Sequence, residues 1–288
     1  MNDALNCRIA VSNGTPGSGG FLVFPGGAFQ PDNASNVSIS WSPAPSAGAP
    51  GPGNYRPSTF GLTYVHSARV WVPVMRSWVA GDGSRYAYPD PSSGGVHVES
   101  LTGGSETIVG SGQTWNLIDV EADAVYAASA GQNGPAVGLW RLPLDGSGAS
   151  EVIDHGSWPL VAGGVAWGYG LSNPPQGVPN PVVRHDLNTG SERIFQDVQG
   201  QLIGLDAAGD PIVESNGGNG NQLSLLAPGG SLDRFWNGYN TYVQGPVVAD
   251  QWGIWFTITG NQSGLMRMTL AGPYLASTVA GQLGGGCF

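Results

Sequence analysis

His155 directly follows Asp154, and this pair is the part of the chain best equipped for acid–base work. An imidazole titrates near neutrality and a neighbouring carboxylate can orient it, so His155 is the candidate catalytic base. The other histidines, His66, His97 and His185, fall on outer strands or their turns in the pattern described below and are expected to stay apart from His155 as surface groups. A hard cation would want oxygen ligands, which Asp154, Asp197, Asn116 and Asn240 could supply, although no dense carboxylate loop accompanies them. Asp119 and Glu121 alternate along one strand and read as a solvated wall more readily than as a catalytic pair. Gly156-Ser157-Trp158 is no nucleophile elbow, and the Gly-rich segments lack the strand-to-helix setting of a phosphate loop.

Composition narrows the chemistry further. All ten basic residues are Arg and none is Lys, which excludes Schiff-base chemistry and a P-loop lysine. A net charge of −10 removes the electrostatic footprint that general binding to nucleic acid or anionic membranes requires. No apolar run approaches the roughly 18–20 residues of a membrane-spanning helix. The expected partner is therefore a small molecule or a protein, with no nucleic acid and no membrane insertion. With 48 Gly, 22 Pro and 10% charged residues, turns are plentiful, and no window shows the spaced apolar residues of an amphipathic helix.

The elements that must position these residues recur along the chain. Six hairpins, at 62–71, 96–109, 139–153, 182–195, 223–235 and 265–279, each pass through a tight turn, most of them containing Gly or Ser. They lie about 40 residues apart, the length of a four-stranded propeller blade. In the second blade, 78–80 reads as inner strand a, 85–88 as b, 96–99 as c and 107–109 as d. The b strands of later blades fall at 124–127, 165–168, 211–214 and 253–256, all short, β-branched or aromatic, and bounded by Gly, Asp or Asn. The expected fold is all-β: a six-bladed β-propeller of four-stranded antiparallel blades in a single domain, 7–288, with a Pro/Gly-rich insertion at 25–59 in the first blade. A seventh blade would need another unit of about 40 residues, which the insertion does not leave. The first blade is expected to take all its strands from the N-terminal region, without exchange between the chain ends.

In a ring the two ends meet at the seam, so Cys7 and Cys287 are expected to form a disulfide. Such a bond needs an oxidising compartment. The chain is thus expected to be secreted or otherwise extracytoplasmic, with its signal peptide not present here, since residues 1–6 lack the basic and apolar regions of one.

Connections from strand d of one blade to strand a of the next converge on one mouth of a propeller's central channel. They carry Arg76, Trp78, Trp115, Trp158, Gln201, Tyr239 and Tyr242, which are the expected ligand-binding residues. Flat aromatic faces beside directional hydrogen-bonding groups suit a neutral polar molecule or sugar. For Trp115 and Trp158 the alternative is burial between blades.

The segment Trp78-Val79-Ala80-Gly81-Asp82-Gly83-Ser84-Arg85-Tyr86-Ala87-Tyr88 resembles the W-x-SPDG-x-x-x-A-Y repeat of TolB-like, WD40-like bacterial propellers, with Ala80-Gly81 in place of Ser-Pro. Two further segments, at 156–167 and 204–213, are similar to exported bacterial propellers of unassigned activity. The resemblance implies the fold and carries over no catalytic residue, because Asp-Gly builds the a-to-b turn and Trp fills gaps between blades. The expected function is binding of a small polar ligand or partner at the mouth. The alternatives are a metal-assisted hydrolase of lactones, esters or phosphotriesters, using His155 and a divalent cation in the channel, and a purely structural module.

Overall fold

The computed structural model describes residues 5–14, 17–36, 62–89, 94–103, 106–129, 137–171, 180–196, 198–216 and 218–288. Short apolar runs closed by Gly, Asp or Asn become strands throughout, because these residues supply the tight turns that let each strand fold back on its predecessor. From the N-terminus these are β1 (Arg8–Ser12), β2 (Gly20–Val23) and β3 (Ala28–Pro31), then β4 (Thr63–Val65) and β5 (Val70–Val72), then β6 (Arg85–Pro89), β7 (Val96–Ser100) and β8 (Thr107–Val109). Next come β9 (Trp115–Val120), β10 (Ala124–Ser129), β11 (Val137–Pro143) and β12 (Ser150–Ile153), followed by β13 (Ser157–Ala162), β14 (Val165–Tyr169), β15 (Val182–Asp186) and β16 (Glu192–Phe195). The remainder are β17 (Gln201–Leu205), β18 (Pro211–Asn216), β19 (Asn221–Leu226), β20 (Leu232–Asn237), β21 (Thr241–Asp250), β22 (Gly253–Gly260), β23 (Gly264–Thr269), β24 (Gly272–Ser277) and β25 (Gln282–Cys287).

The strands form the six antiparallel blades of a β-propeller. Four blades are built from consecutive strands, β9 to β12, β13 to β16, β17 to β20 and β21 to β24. A fifth comprises β6, β7 and β8, with Val79 bridged to Tyr86 in the place of the inner strand. The sixth has the order β25-β1-β2-β3. The hairpin β4-β5, expected as the outer half of the first blade, forms a two-stranded sheet of its own among the described residues. Ala28–Pro31, expected within the insertion, is the outer strand of the sixth blade. The remainder of the expected insertion, from 37 to 59, lies outside the described residues.

The chain divides into two compact units, each with three of the blades. One comprises Met1–Ser38, Ser58–Arg76 and Gln199–Phe288, and the other Ile39–Pro57 and Ser77–Val198. In the first, Ile9, Leu22, Trp255, Leu265 and Leu283 form a buried cluster around Cys7 and Cys287. In the second, Tyr126, Leu139, Trp158, Val161 and Val183 pack together.

The expectation that the first blade uses only N-terminal strands is corrected. β25 pairs antiparallel with β1, through Ile9–Cys287, Val11–Leu283 and Ser12–Gln282. Arg8 and Phe288 continue the ladder, each donating its backbone N–H to the other's carbonyl. A Cβ on Gly284 would approach the carbonyl of Leu62 and the Trp71 ring to 3.0 Å, so the small residue lets β25 lie close to its neighbours. Asp250 accepts the Cys287 backbone N–H at 2.6 Å and that of Trp252 at 2.7 Å, which fastens the end of β25 to the β21–β22 turn. The expected disulfide is present, joining Cys7 to Cys287 with Cα atoms 5.7 Å apart and a sequence separation of 280. It reinforces the strand exchange rather than replacing it.

Crosslinking so long a loop is worth up to about 5 kcal/mol through the unfolded state, and delivered values are often smaller. Replacing both cysteines by Ser should leave the fold intact and lower Tm by roughly 5–10 °C, read by calorimetry under non-reducing conditions. An unchanged Tm would show that the β1–β25 pairing alone carries the closure.

Candidate functional site

β12 ends at Ile153, and the next two residues form the predicted acid–base pair. His155 Nδ1 lies 2.9 Å from Asp154 Oδ1, and both side chains are exposed. The His155 hydrogen bond is the main cause that holds the Asp154 carboxyl below the usual carboxylate range. The other nitrogen, Nε2, lies 3.4 Å from Glu192 Oε1. That oxygen is also 2.9 Å from His185 Nδ1. His185 and Glu192 face each other across the β15–β16 ladder, and Trp158 lies edge-on to both imidazoles, at 6.1 Å from His155 and 5.8 Å from His185. The expectation that His185 stays apart from His155 is therefore wrong. Strand position alone ignored how far a long Glu side chain on the partner strand can reach.

Glu192 thus links the two imidazoles, and Asp154 holds the far side of His155. The cluster offers His155 no hydroxyl or thiol partner among the described residues, and both ring nitrogens face a carboxylate. Among the described residues no group of three or more His, Cys, Asp or Glu side chains is arranged to hold a metal ion. Of the four expected cation ligands, Asp154 is engaged by His155, while Asn116 lies on β9 opposite Ala128. Asn240 belongs to the other unit, and Asp197 lies outside the described residues. The other histidines stand elsewhere. His97 pairs with Glu106 and stacks on Tyr88 at 4.9 Å, and His66 rests on the Phe288 ring at 4.4 Å.

The tryptophans expected at a binding mouth are in the core instead. Trp78, Trp115 and Trp158 are 3%, 1% and 1% exposed. Their indole N–H groups donate to the carbonyls of Leu117, Gly110 and His155 at 3.3, 2.7 and 2.7 Å. Burial with the one polar edge satisfied makes them packing residues, and composition could not tell a buried indole from an exposed one. Arg76 is half-buried in a short 3-10 turn, and Gln201 is exposed at the start of β17, opposite Glu214. Glu121 is half-buried just beyond β9 and accepts backbone N–H groups of Gly163 and Gly164. Burial, then the charge of Asp123, raises its carboxyl above the usual range.

Tyr239 and Tyr242 behave differently, being 69% and 49% exposed. They flank Asn240, which adopts the left-handed conformation (φ 47°) that Asn tolerates better than most residues. Three turns fuse around it. Asn240 donates its backbone N–H to the carbonyl of Asn219, and Asn261 donates its own to the Asn240 carbonyl at 2.9 Å. Gly238 donates to the Asn221 carbonyl at 2.9 Å, while Asn221 Oδ1 accepts the Val243 N–H at 3.0 Å. The buried Thr241 hydroxyl donates to the Tyr239 carbonyl at 3.0 Å. A Cβ on Gly220 (φ +147°) would collide with the Gly238 carbonyl, and one on Gly238 with the Trp236 ring, so the turns approach more closely than any side chain permits. The result is a fixed surface with two aromatic rings and the exposed amides of Asn219, Asn240 and Asn261. Asn219 and Asn261 were not expected there. The run of Asn and Gly around them was the available signal, since it marks b-to-c turns that must share an end of the blade with the d-to-a connection.

Neither a protein-family model nor a curated protein matches the sequence. Solved structures do match. A putative TolB from Agrobacterium tumefaciens aligns over 77% of this chain and 89% of its own, with a TM-score of 0.52 at 15% identity. The fold is that of a TolB-like β-propeller. TolB from Acinetobacter baumannii aligns over 88% of this chain and 60% of its own at 11% identity, TM-score 0.46. An acylaminoacyl peptidase in complex with Z-Gly-Gly-Phe-chloromethyl ketone aligns over 68% of this chain, at 11% identity and TM-score 0.48, and the match spans only 37% of the peptidase. At these identities the likeness reaches the fold alone. The TolB-like architecture read from Trp78 to Tyr88 is borne out.

Two outcomes follow for this TolB-like propeller. Trp158→Ala should destabilise it by about 3–5 kcal/mol, as expected of an emptied core site, in urea unfolding monitored by circular dichroism. The folded Glu121 carboxyl holds its proton more tightly than the unfolded one. Its contribution is therefore favourable below the usual carboxylate pKa and is lost as pH rises through the folded value. Glu121→Gln should leave the urea midpoint unchanged near pH 3 and raise it at pH 7.

Proposed function

We propose that this chain is an extracytoplasmic recognition module that binds a polar ligand at the Tyr239–Asn240–Tyr242 surface. One observation carries the reading: two exposed tyrosines, one in the turn before β21 and one at the start of that strand, stand on a backbone locked by neighbouring turns. A tyrosine ring offers an apolar face with a polar edge to a ligand, and a rigid presenting backbone lowers the ordering cost of binding. The Cys7–Cys287 disulfide supports an oxidising compartment, since such bonds are rare where thiols are kept reduced. No helix among the described residues is long and apolar enough to cross a membrane.

The rival reading, a metal-assisted hydrolase at His155, draws on the two carboxylates around that imidazole. His155 Nδ1 faces Asp154 and Nε2 faces Glu192, so a general base there would first have to give up one of these contacts. The cluster favours a structural side-chain network that joins β16 to the connection after β12.

The two readings separate by mutation. A screen of sugars, polyols and short peptides by thermal shift should find a ligand that raises Tm by a few degrees at saturating concentration. The paired substitutions Tyr239→Ala and Tyr242→Ala should abolish that shift while leaving the unliganded Tm near wild type, and His155→Ala should retain it. A shift that survives loss of both tyrosines and disappears with His155→Ala would move the site to the histidine cluster. Metal-dependent turnover of chromogenic esters, lactones or phosphotriesters, lost with His155→Ala, would replace recognition by hydrolysis.

A further inference from the structure

We infer that the ligand of the Tyr239–Tyr242 surface is a neutral oligosaccharide, an inference that rests on the recognition reading above. Charge is the first argument. The three segments that fuse at the surface, 218–222, 236–244 and 258–264, contain no Asp, Glu, Lys, Arg or His, in a chain whose net charge is −10. An anionic ligand would find no counter-charge in these turns and would be repelled by the protein as a whole. A cationic one would find no carboxylate there to pair with.

The second argument is the pairing of group types. A pyranose ring has an apolar face of C–H groups and an edge of neighbouring hydroxyls, each both donor and acceptor. Tyr239 and Tyr242 offer exposed rings that complement the apolar face. The exposed side chains of Asn219, Asn240 and Asn261 each carry a carbonyl oxygen and an NH2 group side by side, which match a pair of adjacent hydroxyls. Their backbones are bonded in series, Asn261 to Asn240 and Asn240 to Asn219, so the amides arise from one locked unit rather than from three independent loops.

Rigidity is the third. Sugars bind weakly per contact because their hydroxyls leave water, so a surface that needs ordering gains little. Here Asn221 Oδ1 on the Val243 N–H, the Thr241 hydroxyl on the Tyr239 carbonyl and the side-chain-free approach at Gly220 and Gly238 fix the turns before a ligand arrives.

The test uses the whole protein on a glycan array holding neutral and acidic oligosaccharides, followed by calorimetry with the best neutral ligand at about 0.05 and 0.5 M NaCl. Binding to a neutral oligosaccharide with a Kd that moves less than twofold between the two salts is expected. Tyr239→Ala and Tyr242→Ala should each weaken it at least tenfold, and Tyr→Phe at either position by less than about threefold, because the ring face carries the contact. His155→Ala should bind as wild type. Tyr-dependent binding confined to acidic glycans or to peptides would overturn the neutral-sugar inference and leave the recognition surface standing. Glycan binding indifferent to both tyrosines would overturn the inference and the reading beneath it together. Failure of every neutral oligosaccharide on the array, with the folded state verified by circular dichroism, also overturns the inference.

Discussion

The pairing of β25 with β1 is the contact on which the sixth blade depends. Without it β1 would be an edge strand with its backbone groups unpaired, and the buried cluster of Ile9, Leu22, Trp255 and Leu283 would lose one wall. Three features act on the same few residues. A ladder of hydrogen bonds reaches from Arg8 to Phe288, the Asp250 carboxylate receives the Cys287 N–H, and the disulfide ties the strands covalently. Around the end of the ladder an aromatic group closes in, with Phe288 stacked on Tyr64 at 5.3 Å and the Arg8 guanidinium over both Phe21 and Phe288.

Most of the architecture was legible because its signals are local. A b strand such as 165–168 announces itself by β-branched and aromatic residues between Gly turns, and the hairpins that follow recur at blade spacing. The exchange of β25 was hidden for the opposite reason. Residues 282–287 read Gln-Leu-Gly-Gly-Gly-Cys, a composition that strand propensity assigns to a loop, and only the tight fit against Leu62 and Trp71 makes glycine the right residue there. Placement of the hairpin 62–71 in the first blade failed with it, since β3 already fills the outer position.

The candidate site divides along the same line. The exposure of Tyr239 and Tyr242 was legible because they lie in an Asn/Gly-rich connection with few apolar neighbours to bury them, whereas Asn240 was expected there only as a cation ligand. Trp78, Trp115 and Trp158 sit at the head of inner strands or just before them, where the same residue type fills the space against the next strand, and sequence offers no means of telling the two settings apart. The meeting of His155 with His185 through Glu192 is a matter of side-chain reach across a ladder, which a strand assignment does not contain. The members of the His155–Glu192–His185 network bond one another, whereas the turns around Asn240 carry no charged side chain and expose two rings and three amides.

The order of strands in the sixth blade also bears on how the chain is made. Blades such as β9 to β12 and β13 to β16 use only consecutive strands, so each can assemble as soon as its own segment has emerged. β1 is synthesised before the other described strands and its partner β25 after them, so while the intervening strands are made it offers an open edge to any passing strand. For a protein handed unfolded across a membrane this delay is harmless, since folding starts with the complete chain. For one released slowly from a ribosome into a crowded compartment, the same topology would make the N-terminal hairpin the segment most in need of a chaperone.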